Sequence, residues 1–255
     1  MRVIAFRLLL FLTAALTGCT GLKGISADDS LYVGHEISFV GSRERESGLS
    51  QLANEPVRPQ PNPRFLWMRP ALSRNNMLRE KTKKKKFWRN KVANPVLLSH
   101  TNPVQCAAAI QNRIFHAGYF NNVVTVDTVL KGQRKVAFRY TILLHTPYRF
   151  ASVVFPVPST DILQQIHDGK EASLLRRGDV YSLDAVKQER VRIDRLLKEK
   201  GYIYFNPEFI TVRVDTVTGD HQVNAEIIVK SETPPESKVP YIIRKVFIHD
   251  DHVLE

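Results

Sequence analysis

The sequence predicts an α+β fold built of small modules in tandem, and three observations carry that reading. The first is the stretch 182–229, which reads as a helix, a Gly-Tyr turn and two strands. The second is the same order of signals at residues 102–144. The third is the steady spacing of matching landmarks. Gly118 and Gly201 lie 83 residues apart, Asp127 and Asp215 88, and Pro147-Tyr148 and Pro240-Tyr241 93. A period of that size belongs to tandem domains, not to a solenoid of short repeats.

Taken in order, residues 1–18 are a signal peptide. Arg2 and Arg7 precede a mostly apolar stretch at 8–16 that is too short and wrongly flanked to span a membrane. It ends in Leu16-Thr17-Gly18-Cys19, which resembles the bacterial lipobox. That resemblance implies cleavage before Cys19 and a diacylglycerol and N-acyl (palmitate) anchor on its thiol and amine. Residues 19–30 are then a polar, lipidated tether. Thr20, by resemblance to enteric sorting rules, implies the outer membrane rather than the inner.

Residues 31–146 form the first module, with a basic, proline-rich insertion at 56–100. Leu31, Val33, Ile37 and Phe39 mark a strand ended by Gly41, and 49–53 hold a turn or two of helix. Pro56, Pro59, Pro61 and Pro63 then exclude regular structure. Asn102-Pro103 opens a helix with a cap and a proline at its first position. Val104, Ala107, Ala108, Ile114 and Phe115 are its expected apolar stripe, and Gly118-Tyr119-Phe120 closes it. Strands at 123–129 and 136–144 flank the turn Lys131-Gly132-Gln133.

The second module, 147–232, repeats the plan: a strand at 150–155, a short helix at 159–167 capped by Ser159, then a loop. In that loop Arg177-Gly178-Asp179 reads as a glycine turn rather than an adhesion motif. Ser182 caps the long helix, whose stripe is Leu183, Val186, Ile193, Leu196 and Leu197, with Lys187, Glu189, Arg192, Lys198 and Glu199 on the other faces. Gly201 is its left-handed stop. Strands at 209–215 and 223–229 flank Thr218-Gly219-Asp220 and make a hairpin. After a linker with Pro234-Pro235, 239–255 is the first strand of an incomplete further module.

Charge is uneven. The formal net is +12, and removal of Arg2 and Arg7 with the signal lowers it by two, to +10. Lys81, Lys83, Lys84, Lys85, Lys86, Arg89 and Lys91 interleave with Phe87 and Trp88. The run fits a solvated loop, and it fits contact with anionic lipid or an acidic partner, since Trp rests at head-group depth. An exported chain seldom meets nucleic acid, which ranks last, and no nucleic-acid partner is expected.

No catalytic site is legible. There is no HExxH, no His pair at i, i+4, no GxSxG, no P-loop and no GxGxxG. Cys106 on the first helix is an expected core thiol, not a nucleophile. His249, Asp250, Asp251 and His252 come nearest to a metal cluster and read as a solvated terminus. No metal and no cofactor are expected, and the chain is not expected to be an enzyme.

The ordered set of signals resembles the polypeptide-transport-associated (POTRA) repeat of outer-membrane assembly proteins. The resemblance rests on Ser173-Leu174-Leu175-Arg176-Arg177-Gly178-Asp179-Val180-Tyr181, on Glu189-Arg190-Val191-Arg192-Ile193 and on Lys200-Gly201-Tyr202. His116-Ala117-Gly118-Tyr119-Phe120 with Pro147-Tyr148 matches in the preceding repeat. It covers roughly residues 30–250 and is clearest from Asn102 onward. With a lipobox ahead of it, the chain is similar to the lipoprotein subclass of the translocation-and-assembly-module and surface-antigen family. That family continues into an outer-membrane barrel whose strands are not in this sequence, so it reads as a truncated product or a stand-alone periplasmic piece.

The resemblance implies a three-stranded sheet with two helices on one face in each module. It implies an edge strand at 208–216 in the second module and 122–130 in the first, where an extended client adds a strand. Phe209, Thr211, Val212, Arg213 and Val214 are the implied client-binding residues. The implied partners are unfolded outer-membrane proteins or an outer-membrane barrel partner. The competing readings are a passive spacer lipoprotein and a non-functional fragment.

Overall fold

The computed structural model describes residues 22, 25–42, 47–63, 72, 94–217 and 220–247. They divide into two compact units, one of residues up to 113 with 122–144, the other of 114–121 with 145 onward. Residues 1–18, Cys19, the basic run with Lys83, Lys84, Lys85, Lys86 and Arg89, and the set His249 to His252 lie outside the described residues.

The first unit is built from β1 (Leu31–Gly41), α1 (Leu49–Asn54), α2 (Pro103–His116, of which residues from 114 on are counted with the second unit), β2 (Val123–Leu130) and β3 (Lys135–Leu144), in that order. The sheet order is β1-β3-β2, with β1 parallel and β2 antiparallel to the central β3. The parallel neighbour is reached through the helices, because two parallel strands cannot be joined by a tight turn. Asn102 caps α2, its side-chain oxygen accepting from the Gln105 N–H at 3.0 Å. Leu31, Tyr32, Ile110, Phe138, Tyr140 and Ile142 are buried in this unit. The α2 face differs from the expected stripe. Cys106, Ala107, Ile110 and Ile114 are buried, while Val104, Ala108 and Phe115 are exposed. The 106–107–110–114 positions share one face at 3.6 residues per turn, and the three exposed residues lie off it.

In the second unit, β4 (Arg149–Val154), α3 (Asp161–Asp168), α4 (Leu183–Glu199), β5 (Ile210–Val217) and β6 (Gln222–Val229) repeat that plan, with sheet order β4-β6-β5. Strand β4 runs parallel and β5 antiparallel to β6. The Ser182 Oγ accepts from the Ala185 N–H at 3.3 Å, and Gly201 at φ 93° stops the helix. Ile162, Ile166, Ile193, Leu197, Tyr202, Phe205, Ile210 and Ile227 form one core cluster, and Phe150, Leu175, Tyr181, Val186, Val223 and Ala225 a second.

Three expectations change here. Helix α3 starts at Asp161 after Thr160, not at Ser159, and makes no side-chain cap. Phe209 precedes the edge strand, in a short 3-10 turn at Pro207–Phe209 started by Asn206, whose side chain accepts from the Glu208 N–H at 2.9 Å. Proline at the first position of that turn delays the strand to Ile210. Glu189 is fully buried rather than on a polar face. Among the described residues, 241–247 make no ladder with another strand.

Candidate functional site

Strand β5 lies at the outer edge of its sheet, and one hydrogen bond fixes the phase of that edge. The Lys230 N–H donates to the Phe209 carbonyl at 2.9 Å, in line with the register that pairs Ile210 with Val229. In an antiparallel ladder the bonded pairs alternate, so odd-numbered residues of β5 turn their backbone groups toward β6. The N–H and C=O of Ile210, Val212, Val214 and Thr216 therefore point away from it. Among the described residues no strand pairs with that side.

The side chains divide by face. Thr211, Arg213 and Asp215 are exposed, and Arg213 pairs with Glu226 across the ladder. Val212 and Val214 are half-buried against the core clusters. Arg190 of α4 fixes the turn ahead of the edge, its Nε donating to the Pro207 carbonyl at 2.9 Å and its Nη2 lying 3.1 Å from Glu208. The site thus has a row of open backbone groups, an apolar floor on the helix side and a polar outer face. Of the five residues expected to bind clients, Thr211, Val212, Arg213 and Val214 fall on this strand and Phe209 does not.

The opposite edge of the same sheet is partly closed. The Phe150 N–H donates to the Asp179 carbonyl at 3.0 Å, and the Gly178 N–H to the Phe150 carbonyl at 2.8 Å. Arg177-Gly178-Asp179 is thus a clip on β4. Glu189 anchors the loop that carries the clip. Its carboxylate accepts from Ser173 Oγ at 3.0 Å, from the Leu174 N–H at 2.9 Å and from Arg192 through two bonds at 2.9 and 2.8 Å. The helical phase of Val186, Glu189, Ile193 and Leu197 could have revealed this buried carboxylate, because Glu189 takes an apolar slot of the stripe.

The first unit has the same arrangement. The Lys131 N–H donates to the Lys135 carbonyl at 2.9 Å, which turns the backbone of Val124, Val126, Thr128 and Leu130 on β2 outward. The start of β1 is covered, the Tyr32 N–H donating to Val96 and the Leu98 N–H to Ser30. Near that cover the buried Asn62 side chain donates to the Asn94 carbonyl and accepts from the Val96 N–H, both at 2.9 Å. It holds the two roots of the basic insertion together.

Burial pushes the Tyr32 phenol up to about 12, with a smaller effect of Cys106, and raises Tyr140 and Tyr181. These phenols stay protonated and serve as core groups. Among the described residues no three His, Cys, Asp or Glu side chains gather as a metal site. No described helix is long and apolar enough to cross a membrane.

Strand, helices, hairpin and a parallel first strand beside the central one make each unit a POTRA-like module. No family model matches the chain, and no curated protein matches it. Solved structures do resemble it. The BamA POTRA3-5 region of Haemophilus influenzae is 13% identical at TM-score 0.41, over 81% of this chain and 69% of that one. POTRA1-2 of the periplasmic domain of Omp85 from Anabaena is 12% identical at TM-score 0.36, over 80% of this chain and 98% of that one. CdiB from Escherichia coli is 10% identical at TM-score 0.29, and the match spans 83% of this chain but 29% of CdiB. These are likenesses of arrangement alone.

Proposed function

We propose that this chain is the periplasmic POTRA region of a lipid-anchored outer-membrane biogenesis factor. It binds unfolded outer-membrane protein clients, or partner subunits, by accepting their extended segments as added strands. The observation that carries the reading is the open β5 edge, with backbone groups of Ile210, Val212, Val214 and Thr216 directed outward. Main-chain hydrogen bonds give such pairing its affinity and ask little of client sequence. That chemistry suits a protein that meets many unfolded chains.

Two experiments test it. Photo-crosslinkers at Thr211 and Arg213 are expected to capture unfolded outer-membrane clients, and Val212→Pro is expected to reduce capture while the circular dichroism stays that of the folded chain. A passive spacer would show the same anchor with no crosslinks that depend on this edge. For the anchor, Cys19→Ser is expected to abolish lipid labelling and move the chain to the soluble fraction. Lipid labelling that persists in the variant would rule out Cys19 as the modified residue.

A further inference from the structure

Arg134 closes the turn after β2, and its side chain reaches back to the segment ahead of β1. Its Nη2 donates to the Ile25 carbonyl at 2.8 Å and to that of Ser26, and its Nε to the Asp29 carbonyl at 3.4 Å. One planar, always charged guanidinium thus gathers three carbonyls of a turn whose own bond runs from the Asp29 N–H to the Ser26 carbonyl at 3.2 Å. From the other side, the Asp29 carboxylate accepts from the Ser99 Oγ at 2.6 Å and the Ser30 N–H at 2.7 Å. Residues 25–30 are therefore held against the end of the sheet where β1 and β3 begin and β2 stops. That docking shortens the link to the lipid. Leu31 follows Cys19 by twelve positions but Ile25 follows it by six. Six residues reach about 20 Å at full extension.

We infer that this dock, resting on the lipid anchor proposed at Cys19, sets the first unit against the membrane so that the β2–β3 turn touches anionic head groups. The turn carries the chemistry of such a contact. Leu130 is 76% exposed, and Lys131, Gly132 and Gln133 after it are exposed. The Lys131 N–H donates to the Lys135 carbonyl at 2.9 Å, which keeps both lysines at the same end. One exposed leucine alone is ordinary. Here it stands at the end of the sheet that the short link holds nearest the lipid. Leucine can enter the interface while the lysine ammoniums stay with phosphate. Charge agrees, since Lys131, Arg134 and Lys135 outnumber the carboxylates of Asp28 and Asp29 at this end, and Asp29 is bonded to Ser99 and Ser30. The acyl chains hold the protein on the membrane, so the turn supplies orientation rather than retention.

The test uses the full lipidated chain in vesicles of phosphatidylcholine and phosphatidylglycerol, with Cys106→Ala and a fluorophore on Leu130→Cys. Lipids with a nitroxide on the head group are expected to quench the label at 130. They are not expected to quench one on Val123→Cys, which is exposed at the opposite end of β2. Lys131→Gln is expected to lower the ratio of contacting to released turn about fivefold, and pure phosphatidylcholine to lower it further. Arg134→Ala is expected to weaken quenching while acylation persists. Should Arg134→Ala unfold, about ten Gly and Ser residues inserted between Lys23 and Gly24 replace it, and quenching is again expected to fall because the link is longer. Acylated Cys19 with no quenching at 130 overturns this inference alone and leaves the anchor standing. So does equal quenching at 130 and 123, or quenching indifferent to both the lost dock and the longer link. A chain with no acyl group on Cys19 overturns both.

Discussion

Glu189 shows how much a single buried charge can organise. It is wholly buried on α4, yet each carboxylate oxygen is matched by donors from Ser173, Leu174 and Arg192. A buried pair contributes little net stability over an apolar substitute, but breaking it strands the partner charge. Glu189→Ala is expected to destabilise the second unit by about 3–5 kcal/mol, read from the urea midpoint at unchanged slope. A loss below about 1 kcal/mol would be the scale of a surface ion pair. Gly118 gives a second residue-scale expectation. At φ 93° its added Cβ would lie 2.5 Å from the Tyr181 carbonyl oxygen. Gly118→Ala is therefore expected to cost at least the ~1–3 kcal/mol of a strained backbone, again as a lowered midpoint. The sequence made Gly118 legible as a helix stop. The backbone of Tyr181 pressed against it is a contact across 63 positions that no local pattern encodes.

At the scale of elements, the periodicities of the strands and of α4 were readable because each buries one face, and burial writes itself as spacing. The turn at Pro207–Phe209 was not separated from its strand, since Phe209-Ile210-Thr211-Val212 continues an apolar, β-branched run through the boundary. Which strand is central cannot be read from β propensity alone. Here the resemblance supplied the edge and the ladder supplied its phase. That phase is why Val212 is the place for proline. Its N–H points away from β6, so the substitution removes an outward donor without breaking a ladder bond. The neighbouring odd positions would lose a bond to β6, so proline at Thr211 or Arg213 is expected to destabilise the unit more than proline at Val212.

For the molecule as a whole, the basic character belongs to one stretch. Residues 64–93 hold eleven Lys and Arg against Glu80 alone, a net of +10 out of +12, together with both tryptophans. Replacing Lys83, Lys84, Lys85 and Lys86 with Gln is expected to weaken binding to phosphatidylglycerol vesicles by up to about 1 kcal/mol per charge at low salt. The difference should shrink as salt shortens the Debye length. Equal binding by both proteins at low salt would leave the run as solvated surface. The buried thiol of Cys106 has a consequence of another kind. Its Sγ–H donates to the Arg58 carbonyl at 3.3 Å, inside the first unit. A thiol so enclosed reacts only when its surroundings open, at a rate set by the opening equilibrium when reclosing is fast. With Cys19 acylated or replaced, the chain carries its own clock for the breathing of one module, readable against the global unfolding of both.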